Sequence, residues 1–398
     1  LNCICRYRNL LKGRVSVKKI KFIHCADIHL DAPFSSMTAS GGKTSLRRYD
    51  LKEDFRYIIE IAQNNQVSLL LIGGDLYEKN YEKKPTTDYI NSLFKQIGNI
   101  HVFIAPGNHD PYSSNSYYNC YKWNDNVHIL TQDNPSYYIE ELGVYIHGTC
   151  FNSFIEEKSL LSHIKPVNKE YINILLAHGT AGMQFDNCQY NPMSIEELSS
   201  LGMDYIALGH FHNRFEVVKE NIFNPGSPEP LGFDEIGEHG IYLCSIANDG
   251  TPNRSLEYEF IKTNKRSYID IDVFLDGCSS NEEAAGAVNK QISAMDRPEN
   301  LLVNINLKGR IAKDLKLDLT YLKQLIEDKL FYVRLQDNTS KDIDLDEAVK
   351  DPGIKGLFVK KLLDRINSAS DEKERKLLLD SLYYGLEALD NGKVEIVE

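Results

Sequence analysis

The alternation of short apolar runs with helical patterns near the start of the chain is the strongest constraint on its fold. The runs "IKFIHC", "VSLLLIGGD" and "HVFIAPG" each have the length of a buried strand. Between them, residues 47–64 carry apolar side chains at helical spacing, and "TTDYINSLFKQIG" is a second helical segment that ends in Gly98. Strands and helices in this order predict right-handed βαβ units in a largely parallel sheet.

The pattern changes twice further along the chain. From about residue 127, strands such as "VYIHG", "YINILLAHG" and "MDYIALGH" follow one another more closely, which indicates a mixed second sheet and an α/β sandwich. Near residue 265 a strand, helix, strand, helix, strand pattern begins, which predicts a small separate α+β module. Amphipathic helices follow, roughly over 354–367 and 371–390.

These changes predict four segments. The first begins without Met and contains no proper hydrophobic stretch, so we expect a non-native or disordered leader rather than a signal peptide. The predicted segments are the leader (1–16), a main α/β domain (17–264), an α+β capping domain (265–337) and a C-terminal helical segment (338–398).

Composition excludes several classes of protein. No apolar run approaches the roughly 18 residues of a membrane span, so we expect no membrane partner. The 8 cysteines are scattered, which favours a reducing cytoplasm over a disulfide scaffold or a zinc ribbon. The net charge of −12 argues against a stand-alone protein that grips nucleic acid through a broad basic face. It is compatible with an acidic site neutralised by cations, and with a protein that shares a partner's binding surface.

Five predicted strands end in Asp, His or Asn. Each stretch alone has a structural interpretation as a turn, a helix cap or a packed histidine, and Phe211 is expected to be a core residue. Jointly they indicate a site, because the carboxyl ends of strands are where an open α/β sheet binds its ligands. The stretches are "ADIHLD" (Asp27, His29), "GGDLYE" (Asp75), "GNHD" (Asn108, His109, Asp110), "LLAHG" (His178) and "LGHFHN" (His210, His212).

This mixture of imidazole, carboxylate and amide oxygen suits divalent ions such as Mn²⁺, with Fe²⁺ or Zn²⁺ as alternatives. The stretches contain enough ligands for two ions, and Asp75 can bridge them. Two ions roughly 4 Å apart can clamp a phosphoryl group and activate a water molecule. We therefore expect a dinuclear site with two divalent metal ions, Mn²⁺ in the first place.

The order D-x-H, G-D, G-N-H-D, H, G-H-x-H resembles that of the calcineurin-like metallophosphoesterases, and this sequence contains every part of it. The likeness extends over residues 18–390, through stretches such as "NPGSPEPLGFDEIGEHGIY", to the Mre11/SbcD nuclease group and more closely to the bacterial YhaO-type DNA repair exonucleases. The resemblance implies a metallophosphoesterase β-sandwich flanked by helices, a small α+β capping domain that binds DNA, and C-terminal helices.

The resemblance also implies residue roles. One metal would be held by Asp27, His29, Asp75 and His212, and the second by Asp75, Asn108, His178 and His210. His109 would face the scissile phosphate, with Asp110 orienting it, and a metal-activated water would be the nucleophile.

One position departs from the family pattern. Some Mre11 proteins have a second histidine three residues after the bridging Asp, where this chain has Glu78. Any exonuclease polarity or end preference that depends on that histidine is therefore in doubt. From its position in the charge run "EKNYEKK", we expect Glu78 to lie on a solvated face.

The expected function is a Mn²⁺-dependent DNA nuclease in DNA repair, acting with an SbcC/Rad50-like coiled-coil ATPase, with a homodimer left open. The helices at 354–390 could dock on that partner or pack on their own domain, and the loop 112–123 could stack on bases or simply be packed. The alternative functions are a phosphatase or small-molecule phosphodiesterase on the same scaffold, and a catalytically inactive adaptor. The complete ligand set argues against the adaptor.

Overall fold

The computed structural model describes residues 18–37, 42–165, 170–182, 190–218, 220–248, 254–342 and 344–391. The predicted leader at 1–16 lies outside the described residues. The chain divides into two compact units, Leu1–Tyr268 and Ile269–Glu398. The finer boundaries predicted at 264 and 337 stay predictions.

The first unit contains two six-stranded sheets within the described part of the chain. Its strands are β1 (Lys18–Cys25), β2 (Leu69–Ile72), β3 (His101–Ile104), β4 (Val127–Ile129), β5 (Ser136–Ile139), β6 (Val144–Gly148), β7 (Ile172–His178), β8 (Tyr205–Gly209), β9 (Phe215–Val218), β10 (Ile222–Asn224), β11 (Gly240–Asn248) and β12 (Ser255–Lys262). Its helices are α1 (Lys43–Asn64), α2 (Lys84–Gln96), α3 (Tyr117–Cys120) and α4 (Ile195–Ser200), with 3₁₀ turns at Ser35–Met37 and Leu160–His163.

Both sheets are mixed. The first has the order β12-β11-β1-β2-β3-β4, in which β1 to β4 are parallel and β11 and β12 are antiparallel additions. The second has the order β5-β6-β7-β8-β10-β9, with β6, β7, β8 and β10 parallel. The predicted βαβ core and mixed second sheet are therefore confirmed.

Side-chain alternation along the strands builds a sandwich. In β1, Phe22 joins an apolar cluster that also contains Ile174 and Phe223 of the second sheet, so the two sheets pack face to face. Ile23 points the other way, into a cluster with Phe55 of α1 that covers the outer face of the first sheet. This packing leaves the ends of the parallel strands free to carry a site.

After the two sheets the chain forms a three-stranded sheet of order β13-β14-β16, with helices between its strands as predicted. Among the described residues, no helix is both long enough and apolar enough to cross a membrane. The remaining elements are β13 (Ser267–Phe274), α5 (Asn281–Ile292), a 3₁₀ turn (Pro298–Asn300), β14 (Leu301–Lys308), β15 (Arg310–Ile311), α6 (Leu319–Ile326), a 3₁₀ turn (Glu327–Lys329), β16 (Tyr332–Asp337), β17 (Ser340–Lys341), α7 (Leu345–Lys350), α8 (Ile354–Ser368) and α9 (Glu372–Asn391).

The C-terminal helices use only part of their apolar surface against one another. Leu378, Leu382 and Leu386 of α9 are buried in a cluster with Val359 of α8. Leu357 of α8 is 56% exposed. Both predicted uses of these helices thus stay open, because one face packs locally and another is free of local packing.

Candidate metal centre

The five predicted stretches meet at one edge of the sandwich, where parallel strands of both sheets end. Asp27 and His29 follow β1, and Asp75 follows β2. Asn108 and its two neighbours follow β3, His178 is the last residue of β7, and His210 comes directly after β8. All nine predicted side chains thus lie at the carboxyl ends of strands, as an α/β site requires.

The first half of this centre is formed by Asp27, His29 and His212 together with Asp75. The Nε2 atoms of His29 and His212 are 3.1 Å apart, although 183 residues separate them in sequence. Single ligand atoms of Asp27, His29 and His212 all lie within 4.8 Å of one another. These three side chains can therefore face one ion.

The second half is formed by Asn108, His178 and His210 together with Asp75. The Asn108 Oδ1 atom is 2.9 Å from His178 Nε2 and 3.1 Å from His210 Nδ1. The Asp75 Oδ2 atom lies 3.3 Å from His178 Nε2 and 3.7 Å from His29 Nε2. A single carboxylate oxygen therefore stands between the two halves, in the position of a bridge.

The chemistry of the donors fits cations. His29 Nδ1 is 2.8 Å from Glu78 Oε1, and His212 Nδ1 is 2.7 Å from Glu235 Oε1. When each Nδ1–H donates to its carboxylate, two Nε2 lone pairs face each other at 3.1 Å. The buried Asp27 and Asp75 carboxylates lie in the same cluster. Facing lone pairs and carboxylates repel one another unless a cation lies between them.

The backbone at these residues is held in an unusual conformation. Asp27, His29, Asp75 and His210 have φ angles of 54°, 48°, 52° and 107°, in the left-handed region that side chains other than glycine rarely adopt. Each such residue costs about 1–3 kcal/mol, which the surrounding fold must offset. Close packing contributes, because a Cβ at Gly107 would overlap the Asp75 carboxylate.

Residues 20–214 match the family model "Calcineurin-like phosphoesterase". These residues therefore form a domain of that family. The match contains all nine predicted site residues, so the resemblance inferred from the motif order is confirmed. Members of the family are metal-dependent phosphoester hydrolases.

Three relatives show where the chain stands within the family. It is 26% identical over 253 residues to "Uncharacterized metallophosphoesterase YhaO" of Bacillus subtilis, a match that covers 61% of this chain and 60% of that protein. It is 26% identical to the SbcD component of the nuclease SbcCD from Staphylococcus epidermidis, covering 59% of this chain and 68% of the relative. It is also 26% identical to "DNA double-strand break repair protein Mre11" of Saccharolobus solfataricus, covering 58% and 61%. The chain thus spans about 60% of the length of the first of these relatives.

His109 lies beside the shared Asp75 carboxylate, and single ligand atoms of His109, His29 and Glu78 all lie within 4.8 Å of one another. Its backbone N–H donates to Asp75 Oδ1 at 2.8 Å, which fixes the residue next to the shared carboxylate. Its side chain is 46% exposed, and its Nδ1 atom is 3.1 Å from Glu78 Oε2. This contact raises the pKa of His109 to about 8. An exposed, protonated imidazole beside the centre can give a proton to a bound group.

The structure corrects two expectations about the neighbours of His109. Asp110 was expected to orient the His109 ring, but its buried carboxylate accepts backbone N–H groups of Gly107, Asp75 and Leu76 and the Tyr118 hydroxyl. It therefore holds the loops that carry the ligands. Glu78 contacts the His109 ring instead.

Glu78 was expected on a solvated face, but its side chain is only 13% exposed. Its two carboxylate oxygens separately contact His29 and His109, which links His109 to the first half of the centre. Burial raises the pKa of Glu78, but the contacts with both histidines outweigh it and lower the pKa to about 2. The charge run in the sequence concealed this role, because such a run is typical of a solvated surface.

Two further residues behind the ligands were not predicted. The Glu235 carboxylate is hydrogen-bonded to His212 Nδ1, and it also accepts hydrogen bonds from the Ser227 hydroxyl and the Leu231 backbone N–H. The backbone carbonyl of Gly73 lies 2.7 Å from His178 Nδ1. A carboxylate near a histidine in space leaves no local sequence signal, and a backbone carbonyl leaves none at all.

Charge within the cluster shifts the pKa of several members. For His178, burial alone would lower the pKa, but Asp75 and Asp27 raise it to about 9. For His212, burial is likewise outweighed, by Glu235 and the two aspartates, and the pKa rises to about 9. Burial and the charge of His178 lower the pKa of His210 to about 3. Metal binding must therefore displace protons from His178 and His212.

Two aromatic features near the centre bear on the sequence predictions. Trp123 of the tyrosine-rich loop contacts Phe94 of α2, Tyr118 and Tyr121, which favours a packed loop. Phe211 was expected in the core but is only partly buried and lines a cavity beside His210 and His212.

Proposed function

We propose that this chain is a Mn²⁺-dependent DNA nuclease that hydrolyses phosphodiester bonds and acts in DNA repair. The observation that carries the proposal is the complete set of donors around Asp75 Oδ2, with His109 fixed beside it. Similarity to proteins named as a component of the SbcCD nuclease and as the repair protein Mre11 supports DNA as the substrate.

The two halves would each hold one ion, with Asp75 shared between them. Bound divalent ions supply Lewis-acid stabilisation of the phosphoryl charge and activation of an attacking water. Imidazole, carboxylate and amide oxygen together suit Mn²⁺, with Fe²⁺ and Zn²⁺ as competitors. Four imidazoles among the donors make ions that bind only oxygen, such as Mg²⁺, a poorer match.

His109 would protonate the leaving oxygen. Glu78 occupies its Nδ1 atom, so the proton that it gives is on Nε2, directed away from Glu78. Glu78 would keep the ring oriented and charged, and its second oxygen would keep His29 oriented toward the first half. Asp110 would hold Gly107, Asp75 and Leu76 in register through their backbone N–H groups.

The partner would be an SbcC/Rad50-like ATPase in the cytoplasm. A net charge of −12 gives the chain little long-range attraction for DNA, so a second protein would supply part of the binding surface. Exposed apolar side chains of α8 and α9, among them Ile354, Leu357 and Leu377, are a suitable docking surface. A homodimer is a further arrangement to test.

The same acidic charge favours a second candidate, a phosphatase or small-molecule phosphodiesterase. A small substrate needs the metal centre but no extended basic surface. Both candidates use the same donors, so only the substrate separates them.

The test is an assay with Mn²⁺ on labelled duplex and single-stranded DNA, with bis(4-nitrophenyl) phosphate and 4-nitrophenyl phosphate as small substrates. We expect DNA cleavage, with or without the ATPase, and a decrease of roughly 10²–10⁴-fold in His109→Ala. His101→Ala is a matched control, because His101 contacts His128 and Glu141 at a distance from the centre. Intact DNA together with hydrolysis of a small substrate would favour the second candidate, and no hydrolysis at all would favour the adaptor.

A further inference from the structure

A cavity of about 480 Å³ opens directly beside the metal centre. His210 and His212 form one side of it, and Phe211, Arg214 and Phe215 form much of the rest. Its volume lies within the range of about 300–1,000 Å³ that small-molecule sites have. A group bound in this cavity would lie next to a phosphate held at the metal centre, so both could belong to one substrate molecule.

The lining is aromatic. The Phe211 and Phe215 rings are 5.5 Å apart, centroid to centroid, at 74°, and both are partly exposed. The Arg214 guanidinium lies 4.1 Å from the Phe260 ring centroid, which holds a planar cation at the wall. Aromatic rings and planar guanidinium groups are the surfaces on which nucleobases stack.

The charge of the lining favours a neutral ring over a second phosphate. The lining contains one cation, Arg214, and two carboxylates, Asp234 and Glu235. The Glu235 carboxylate also contacts His212 Nδ1. A phosphate would need a surplus of positive charge at this wall. A nucleobase needs none, because stacking does not depend on net charge.

The wall is fixed from behind. Buried Asn224 donates from Nδ2 to the Phe211 carbonyl at 2.7 Å, and the Ser227 backbone N–H donates to the His212 carbonyl at 2.9 Å. On the open side, Asn213 donates to the Asp234 carbonyl at 3.1 Å. Because these bonds hold the segment from Phe211 to Asn213, a ligand would meet a surface that is already ordered.

We propose that this cavity binds the nucleoside attached to the scissile phosphate, with its base against Phe211 and Phe215. The proposal rests on the proposed function, because it takes a nucleotide phosphodiester as the substrate. Base stacking tolerates every sequence, so the site would select nucleotides over other phosphodiesters without selecting among bases.

The test compares two diesters with the same leaving group, thymidine 5′-(4-nitrophenyl phosphate) and methyl 4-nitrophenyl phosphate. We expect wild-type protein with Mn²⁺ to favour the thymidine diester at least about tenfold in kcat/KM, mainly through KM. Phe215→Ala is expected to remove about tenfold of this preference, with the methyl diester hydrolysed as before. Phe215→Tyr should retain the preference, because the ring remains, and Phe215→Leu should lose it.

Phe274→Ala is the matched control, because this phenylalanine is 64% exposed and lies outside the cavity lining. Equal use of both diesters by wild-type protein would overturn the nucleoside site and leave the proposed function standing. A parallel loss on both diesters in Phe215→Ala would also overturn it, since the ring would then act only on the fold around His210 and His212.

A binding measurement separates the two proposals. Thymidine 5′-monophosphate and methyl phosphate are titrated calorimetrically into the Mn²⁺-loaded protein. Tighter binding of the nucleotide that depends on Phe215 would support the site even when neither diester is hydrolysed, a result that would count against the proposed function alone. Equal binding of both ligands would overturn the site.

Discussion

The two halves of the metal centre differ in what holds their histidines. In the first half, His29 and His212 are each backed by a carboxylate side chain, Glu78 and Glu235. In the second half, His178 is backed by the Gly73 backbone carbonyl, and His210 shares the neutral Asn108 oxygen. A carboxylate hydrogen-bonded to the second ring nitrogen raises the basicity of a ligand imidazole and adds negative charge near the ion. A backbone carbonyl in the same position has a smaller effect on both.

Because of this difference, we expect the two halves to bind their ions with different affinities. Asp27, Asp75, Glu78 and Glu235 surround the first half, whereas the second half has two carboxylates close to His178, Asp75 at 3.3 Å and Asp27 at 4.0 Å. We expect the first ion to bind more tightly and the second to be lost first on dilution of Mn²⁺. Mutations that act on one half, or on both, can test this ranking.

The largest effect is expected from Asp75→Asn. The amide replaces the one carboxylate that lies between His29 and His178, so both halves lose their shared charge. We expect activity to decrease by about 10³-fold or more, and calorimetric Mn²⁺ stoichiometry to drop below two. Asp27→Asn is the comparison variant, and should weaken the first ion more than the second, because Asp27 lies within 4.8 Å of the ligand atoms of His29 and His212. If Asp75→Asn still bound two Mn²⁺ ions tightly, Asp75 would not be the group that the two halves share.

Next in size are Glu235→Gln and Glu78→Gln, which act on the first half. Loss of a backing carboxylate typically lowers metal affinity or activity by about 10–100-fold. Glu235→Gln should weaken one of the two ions and leave the other unchanged. Glu78→Gln should reduce turnover more than affinity, because Glu78 also contacts His109, the proposed proton donor. Equal weakening of both ions by Glu235→Gln would show that the halves are not separable.

Asp110→Asn probes the support of the second half, since Asp110 fixes the Gly107 backbone next to Asn108. The buried carboxylate accepts four hydrogen bonds, and an amide would place a donor against some of these donors. We expect a loss of about 3 kcal/mol in the free energy of unfolding. Urea unfolding measures it, and an unchanged midpoint would show that water or a loop shift replaces the lost acceptor.

The smallest effect is expected from Glu82→Gln. Burial, and then the charge of Asp110, raises the pKa of Glu82 to about 8. The folded protein therefore keeps a proton that the unfolded chain releases near pH 4.5, so this group lowers stability as the pH rises from about 4.5 to 8. Glutamine does not ionise, and the variant should gain in Tm relative to wild type between pH 5 and pH 8. A constant difference in Tm across that range would contradict this.

The sequence by itself determined the type of fold and the kind of chemistry. Apolar runs separated by helical patterns predicted parallel strands, and the carboxyl ends of parallel strands share one edge of a sheet. Asp27, Asp75 and His178 could therefore be placed together before their distances were known, because each stands at or just after the end of such a strand. Residue type indicated divalent metal chemistry, whereas the assignment of each side chain to one ion or to proton transfer came from the family resemblance.

Only the tertiary structure decided which side chain or carbonyl is hydrogen-bonded to each histidine of the site. The contact between His29 and His212 spans 183 residues, and its short distance depends on how the two sheets pack. The partner of His109 is Glu78 rather than Asp110, whose carboxylate accepts three backbone N–H groups and the Tyr118 hydroxyl. The cavity beside His210 likewise depends on bonds from Asn224 and Ser227 that no local pattern predicts. Strand ends are set by local periodicity, whereas side-chain partners are set by turns and packing between residues distant in sequence.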